Sequence, residues 1–245
     1  MGNLIFYQAG TTESCTAASK ILTSKGISFS DHPAPEVTDL LLDIPSFTGP
    51  GILRSGEKLS TLLDTFSSQT PRIWGGNLPS STYGTDLLQD PNYLAQNAAI
   101  TADCALRLCA GSLKTTWYDT KVLVIGWGRI GKSLCQMLKA RHADVWVCAR
   151  KAPDRALLKA LGYQVLEPEM LDGKGFHVIF NTAPAPVMDE NALCNCPIPM
   201  DLASREGLQG ASVIHARGLP GIHAPETSGK LIANTILSHL GGDLH

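Results

Sequence analysis

A four-residue apolar strand, Val122–Ile125, runs into Gly126-Trp127-Gly128-Arg129-Ile130-Gly131, and an apolar-periodic helix follows. Glycines at this spacing suit the cradling of a pyrophosphate. The first allows a tight turn, the second lets phosphates approach the backbone, and the third lets helix and strand pack closely. The helix N-terminus then offers free N–H groups and a partial positive charge to the anion. A lone GxGxxG occurs in other α/β turns, but the flanking strand and helix make this one a dinucleotide signature. About 20 residues past the last glycine, an NAD site carries an acidic residue for the adenosine ribose. Here that place is taken by Arg150 and Lys151, with Arg155 a little later. A guanidinium suits a 2′-phosphate, so NADP(H) is the expected cofactor. NAD stays open through Asp154, should the turn fold differently.

Further candidates lie where later strands end, because open α/β sheets bind ligands outside the carboxyl ends of their strands. Asn181, Thr182, Ala183 and Pro184 close the fourth strand, where nicotinamide is expected. Asp201 to Ser204 close the fifth and His215 to Arg217 the sixth, and a turn-rich loop spans Gly218–Thr227. Each has a plainer reading as a cap, a turn or a surface residue. The strands that must hold these groups are apolar runs at Val122–Ile125, Val145–Cys148, Tyr163–Leu166, His177–Phe180, Ile198–Leu202 and Val213–Ala216. Helices are expected at Gly131–Arg141, Arg155–Leu161 and Asp189–Cys194. This alternation predicts a Rossmann-type doubly wound parallel sheet over 119–225.

Residues 1–90 read as a smaller α/β domain on the substrate side. Its strands are Leu4–Tyr7, Asp39–Ile44 and Arg72–Trp74, and its helices Glu13–Ser24 and Glu57–Phe66. Loops fill Phe47–Gly56 and Asn77–Asp90. An interdomain helix is expected over 91–113, and a C-terminal helix within 226–245 packs back on the first domain. These two helices would link the domains across a cleft.

Composition excludes several classes. With 44% hydrophobic and 17% charged residues the chain is not disordered. A net charge of −2 disfavours a phosphate-backbone partner such as nucleic acid. The apolar stretches fall far short of the ~20 residues of a spanning helix, and no secretory leader is expected. Most of the seven cysteines sit in apolar segments, the usage of reduced thiols in a cytoplasmic protein. The Cys194-Asn195-Cys196 spacing fits neither a zinc knuckle nor a redox pair, and no metal site is expected.

In order and spacing, several segments resemble the dipicolinate synthase A-chain family: NAAITADCAL (Asn97–Leu106), VLVIGWGRIG (Val122–Gly131), VCAR (Val147–Arg150), FNTAPA (Phe180–Ala185), DLAS (Asp201–Ser204) and GLPGIHAPETSG (Gly218–Gly229). The likeness runs from about Arg72 to Leu240. This chain departs from the family at Asp103, where Glu is usual, and at Arg205-Glu206-Gly207, where glycines are usual. It departs again at Ala9–Glu13, where a glycine–aspartate–arginine turn is usual.

The resemblance implies oxidation of a dihydrodipicolinate-type ring to dipicolinate during sporulation, in a mother-cell cytoplasm, with hydride passing to NADP⁺. It implies a small dicarboxylate substrate and, as companion, the second protein of the synthase; a homo-oligomer is expected. On the substrate side the candidates are Asn97, Thr101, Asp103, Ser204 and Arg205, with His215 and His223 as bases. The cofactor would be held by Gly126 to Gly131, Arg150, Lys151, Asn181 to Pro184 and Asp201. Two other readings stay open. One is a cofactor-binding regulatory or scaffold protein. The other is a 2-hydroxyacid or alanine-dehydrogenase type, although no spacing in the sequence offers its arginine and histidine–carboxylate pair.

Overall fold

The computed structural model describes residues 4–66 and 69–241. The chain forms two compact units, one comprising residues up to Asn97 together with those from Pro220 onward, the other Ala98–Leu219.

Unit 1 opens with β1 (Ile5–Gln8), α1 (Glu13–Ser24), β2 (Ser28–Ser30) and β3 (Asp39–Leu41). A hairpin of β4 (Phe47–Gly49) and β5 (Ile52–Leu53), then α2 (Leu59–Leu63), β6 (Arg72–Gly75) and β7 (Gly84–Asp86) follow. Five strands form one parallel sheet, ordered β2-β1-β3-β6-β7. Val37, Leu40, Leu62 and Ile73 anchor its core. Helix α1 starts where Thr12 accepts a hydrogen bond from the Cys15 N–H, and it buries Cys15, Ala18 and Leu22.

The structure corrects several local expectations in this unit. Strand β3 stops at Leu41 because the chain peels away to deliver Asp43 to the start of α1. The stretch 47–56 is a hairpin, not a loop. Helix α2 is shorter than Glu57–Phe66 because Glu57 and Lys58 are held extended against β5: the Glu57 carbonyl accepts from Leu53 N–H, and Lys58 bridges to Ile52. Edge strands β2 and β7 carry little apolar sequence; tertiary pairing makes them.

Helix α3 (Pro91–Ala110) carries the chain across the boundary between the units. Unit 2 continues with β8 (Lys121–Ile125), α4 (Arg129–Ala140), β9 (Asp144–Cys148), α5 (Ala152–Ala160), β10 (Gln164–Leu166), β11 (Val178–Asn181), α6 (Glu190–Leu193), β12 (Ile198–Asp201) and β13 (Ile214–His215). Its six-stranded sheet is parallel, ordered β10-β9-β8-β11-β12-β13. Counted within the unit this is the 3-2-1-4-5-6 order of dinucleotide-binding sheets, with the order reversing between β8 and β11. The expected α/β class, a Rossmann-type sheet with a second α/β unit, is what the chain adopts, but the second unit is not the smaller one expected, because residues from Pro220 onward join it. Strands β8, β11 and β12 are buried along almost their whole length, which is why each reads as an unbroken apolar run.

The chain re-enters unit 1 through α7 (Leu219–His223) and α8 (Pro225–His239). The expected loop 218–227 is therefore mostly helical. Pro220 falls in the first turn of α7 and Pro225 begins α8, positions where a missing N–H costs nothing. Helix α8 packs on α1, and Gly229 lets the backbones approach: a Cβ there would stand 2.6 Å from the Ser14 carbonyl oxygen. Residues 242–245 of the expected C-terminal segment lie outside the described residues. Among the described residues no helix is long and apolar enough to cross a membrane.

Candidate functional site

Strand β8 ends at Ile125, and the three glycines that follow have three different physical reasons. Gly126 sits at φ +103°, where L side chains rarely go, and a Cβ would collide with Thr182 Oγ1. A Cβ on Gly131 would collide with the carbonyl oxygen of Gly126. Gly128 differs. Its backbone (φ −82°, ψ −169°) suits any residue, and a Cβ would meet no protein atom within 4 Å. Neither strain nor packing asks for glycine there, and the backbone is open to an outside group. Gly128 is also the N-cap of α4 and brings no side chain to its first turn. The N–H groups are left for a ligand.

Unit 1 offers the comparison. Its equivalent turn, Ala9-Gly10-Thr11-Thr12, is filled from inside. The buried Asp43 carboxylate accepts from the Thr11 and Thr12 N–H groups, both at 2.9 Å, and from Thr12 Oγ1 at 2.6 Å.

A cleft of about 450 Å³ opens at the α4 turn, bordered by Gly126 to Gly128, Arg150, Lys151, Asp154 and Thr182 to Pro184. That volume lies in the range of cofactor pockets. Arg150 and Lys151 are exposed at the end of β9, and Asp154 lies in the first turn of α5. Arg129 is exposed and Ile130 half-buried at the start of α4. The Trp127 ring meets Tyr163 edge-on at 5.8 Å, and its enclosed Nε1 has no partner among the described residues. These residues fit a nicotinamide dinucleotide: an uncapped helix start, an open cradle over Gly128, and two exposed cations at the far end.

Asn181 and Asp201 do not face this cleft with free polar atoms. Both are fully buried. Asn181 donates to Asp201 Oδ1 at 3.0 Å and to the Ala183 carbonyl at 3.1 Å, and accepts from Ala183 N–H. Asp201 also accepts from the N–H groups of Ala203, Gly207 and Leu208 at 3.0, 2.7 and 3.1 Å. Through these bonds they shape the two loops that follow β11 and β12. Thr182 is tied to the end of β8 through its hydroxyl, 2.9 Å from the Ile125 carbonyl oxygen.

Loop 203–208, pinned by Asp201, presents Ser204, Arg205 and Glu206 to solvent. His215 is the register partner of Asp201 on the neighbouring strand, and its Nε2 lies 4.0 Å from Glu206 Oε1. It is one histidine–carboxylate approach that no sequence spacing offered; His239 and Asp90, 2.8 Å apart, are another. Eight residues lie between Glu206 and His215 along the chain, and the β12–β13 pairing together with the loop after β12 brings them together.

On α3, Asn97 belongs to unit 1, while Thr101, one turn on, is buried in unit 2. Asp103 is paired with Arg107 at 3.0 Å, and Arg107 also donates to Cys104 Sγ. His223 ends α7, exposed, in unit 1. Burial pushes Cys109 and Cys135 up to about 12 and Cys148 and Cys196 up to about 11, so none is a nucleophile near neutral pH. Among the described residues no group of three or more His, Cys, Asp or Glu side chains is placed to hold a metal ion.

No family model matches the chain. Its sequence is 29% identical over 153 residues to the A chain of dipicolinate synthase from Bacillus subtilis, covering 57% of this chain and 52% of that protein. The chain thus aligns with about half of the curated relative. In fold it is similar to the dipicolinate synthase A chain from Bacillus halodurans, with a TM-score of 0.83 at 20% identity over 98% of this chain and 99% of that one. It is also similar to a transhydrogenase from Sinorhizobium meliloti, with a TM-score of 0.62 at 12% identity over 96% and 93% of the two chains. The chain thus shares its two-unit fold with these structures, and in sequence and fold together it is similar to dipicolinate synthase A chains.

Proposed function

We propose that this chain is an NADP-dependent oxidoreductase that oxidises dihydrodipicolinate to dipicolinate. The observation that carries the cofactor half is Gly128: a glycine needed neither by its backbone nor by its neighbours, at an uncapped helix start in a cleft that ends in Arg150 and Lys151. The likeness to dipicolinate synthase A chains supports the substrate half.

Oxidation of the ring removes two hydrogens, one as hydride and one as a proton. Bound NADP⁺ supplies the hydride acceptor. The α4 N-terminus and the bare backbone at Gly128 hold the pyrophosphate, and Arg150 with Lys151 holds the 2′-phosphate. Asn181 and Asp201, through their buried bonds, keep the 182–184 turn rigid beside the cleft. His215 takes the proton, and Glu206 opposite stabilises the imidazolium that results. Arg205, on the same loop, offers a cation to a substrate carboxylate. Because aromatisation drives the step, a single modest base suffices. The companion protein, the sporulation setting and an oligomeric assembly belong to the same proposal.

The test is turnover of a dihydrodipicolinate mixture followed by NADPH formation, with and without the companion protein. Wild type should turn over and His215→Gln should lose at least tenfold with NADP(H) affinity kept. Tight cofactor binding without turnover in either setting would favour the regulatory reading and overturn this one.

A further inference from the structure

The sequence offered Arg155 only as a further cation after Arg150 and Lys151, but its geometry points elsewhere. It lies in α5 one turn beyond Lys151, its own N–H donating to the Lys151 carbonyl at 3.1 Å. Its side chain does not run out toward solvent. It folds back beneath the end of β9, where a single nitrogen, Nη1, donates to the Ala149 carbonyl at 3.0 Å and to the Arg150 carbonyl at 2.7 Å. Nε lies 3.8 Å from the Glu167 carboxylate, which comes from the segment after β10. The side chain is 19% exposed.

We infer that Arg155 is the positioning residue that sets the dinucleotide preference of unit 2, by aiming Arg150; this rests on the NADP reading above. The two carbonyls it binds belong to the two peptide planes on either side of the Arg150 Cα. Holding both planes fixes φ and ψ of residue 150, and with them the direction of its Cα–Cβ bond into the cleft that Arg150 borders. Hydrogen bonds from a charged donor are the stronger kind, and a planar guanidinium loses little entropy in making two at once. With Nη1 committed to the backbone, Arg155 acts on a 2′-phosphate through Arg150. Discrimination between the two cofactors then depends on the geometry of the turn as well as on the number of cations around it.

A double-mutant cycle separates this from a plain charge effect. Calorimetry gives the Kd for NADP⁺ and for NAD⁺ in wild type, Arg150→Ala, Arg155→Met and the double variant. The readout is the ratio of the two constants, which a general loss of folded protein does not move. Wild type should prefer NADP⁺ at least tenfold. Each single variant should lose most of that preference, and the double variant should be no lower than Arg150→Ala. If Arg155→Met fails to fold, Arg155→Gln, which keeps an N–H₂ donor on a shorter stem, takes its place in the cycle. An unchanged ratio in Arg155→Met overturns the inference. So do losses that multiply in the double variant, since Arg155 would then act by its own charge; both results leave the NADP reading intact. A wild type without NADP⁺ preference overturns that reading, and the inference with it.

Discussion

Gly128 and Gly131 belong to one motif, three residues apart, yet the structure predicts opposite consequences for filling them. The Cβ of a valine at 128 meets open space, and the residue keeps an allowed backbone. Against it stands the poorer capping by a β-branched residue, of order 0.5–1 kcal/mol. Removing a glycine from the unfolded chain returns about 0.4–1 kcal/mol. The two nearly cancel, so Gly128→Val should shift the melting temperature by no more than a few degrees. The same side chain stands where phosphates would approach, and NADP(H) affinity should fall at least a hundredfold, about 2.7 kcal/mol. Alanine at 131 does the reverse. Its Cβ runs into the Gly126 carbonyl, a backbone atom that yields only if the helix moves, at about 1–3 kcal/mol or more of overpacking. Scanning fluorimetry of apo protein and calorimetry with NADP(H) read both quantities on the same samples. Normal affinity in Gly128→Val would show that the turn serves packing alone. A melting loss in Gly128→Val equal to that of Gly131→Ala would show that the space over Gly128 is not free.

Asp201→Asn should cost roughly 2–6 kcal/mol in denaturant unfolding, because two of four buried N–H donors would face an amide N–H₂ at about 1–3 kcal/mol each; an unchanged midpoint would mean that loop 203–208 is held by something else. Asp103→Asn breaks a half-exposed i,i+4 pair worth about 0.3–0.5 kcal/mol, so stability should barely move. If α3 serves the substrate, Asp103→Asn and Thr101→Val should still weaken turnover, with NADP(H) affinity kept within about threefold; normal turnover in both would remove α3 from the site. Stability should fall as pH rises above about 9. Burial raises Cys109 and Cys135 from 9.0 to about 12, so the unfolded chain ionises these thiols first and gains the advantage. Denaturant midpoints measured from pH 8 to 10.5 should decline, less steeply in Cys135→Ala than in wild type once both are referenced to pH 8. Parallel curves would refute burial as the cause.

Much of unit 2 was legible because its central strands are covered on both faces, and a doubly covered strand must be apolar throughout. Val122–Ile125 could scarcely be anything else. Edge elements escaped for the converse reason. Ser28–Ser30 and Gly84–Asp86 have no fully buried residue to pattern them, and β1 and β6 recruit them through backbone bonds that any residue supplies. At the site, the glycines were readable because their constraint is local. The Glu206–His215 pair was not, since strand register creates it. The aim of the Arg155 side chain was not either, since a guanidinium on a helix reads as solvated until its carbonyl partners are seen. Asn181 and Asp201 drew notice as polar groups at strand ends, and that polarity turned out to be spent inside the protein.

The plugged turn of unit 1 and the open turn of unit 2 also divide the thermodynamics of the chain. Where Asp43 already satisfies the start of α1, the helix is as stable as it will be, whatever the solution holds. If, as proposed, the start of α4 takes its missing partner from a bound dinucleotide, its stability tracks free dinucleotide as RT ln(1 + [L]/Kd), about 2.7 kcal/mol at a hundredfold excess over Kd. On that reading one unit is buffered against the nucleotide pool and the other reports it. In a cell short of dinucleotide, local opening and proteolysis would begin at the Gly126–Gly131 turn, while the first sheet stayed shut.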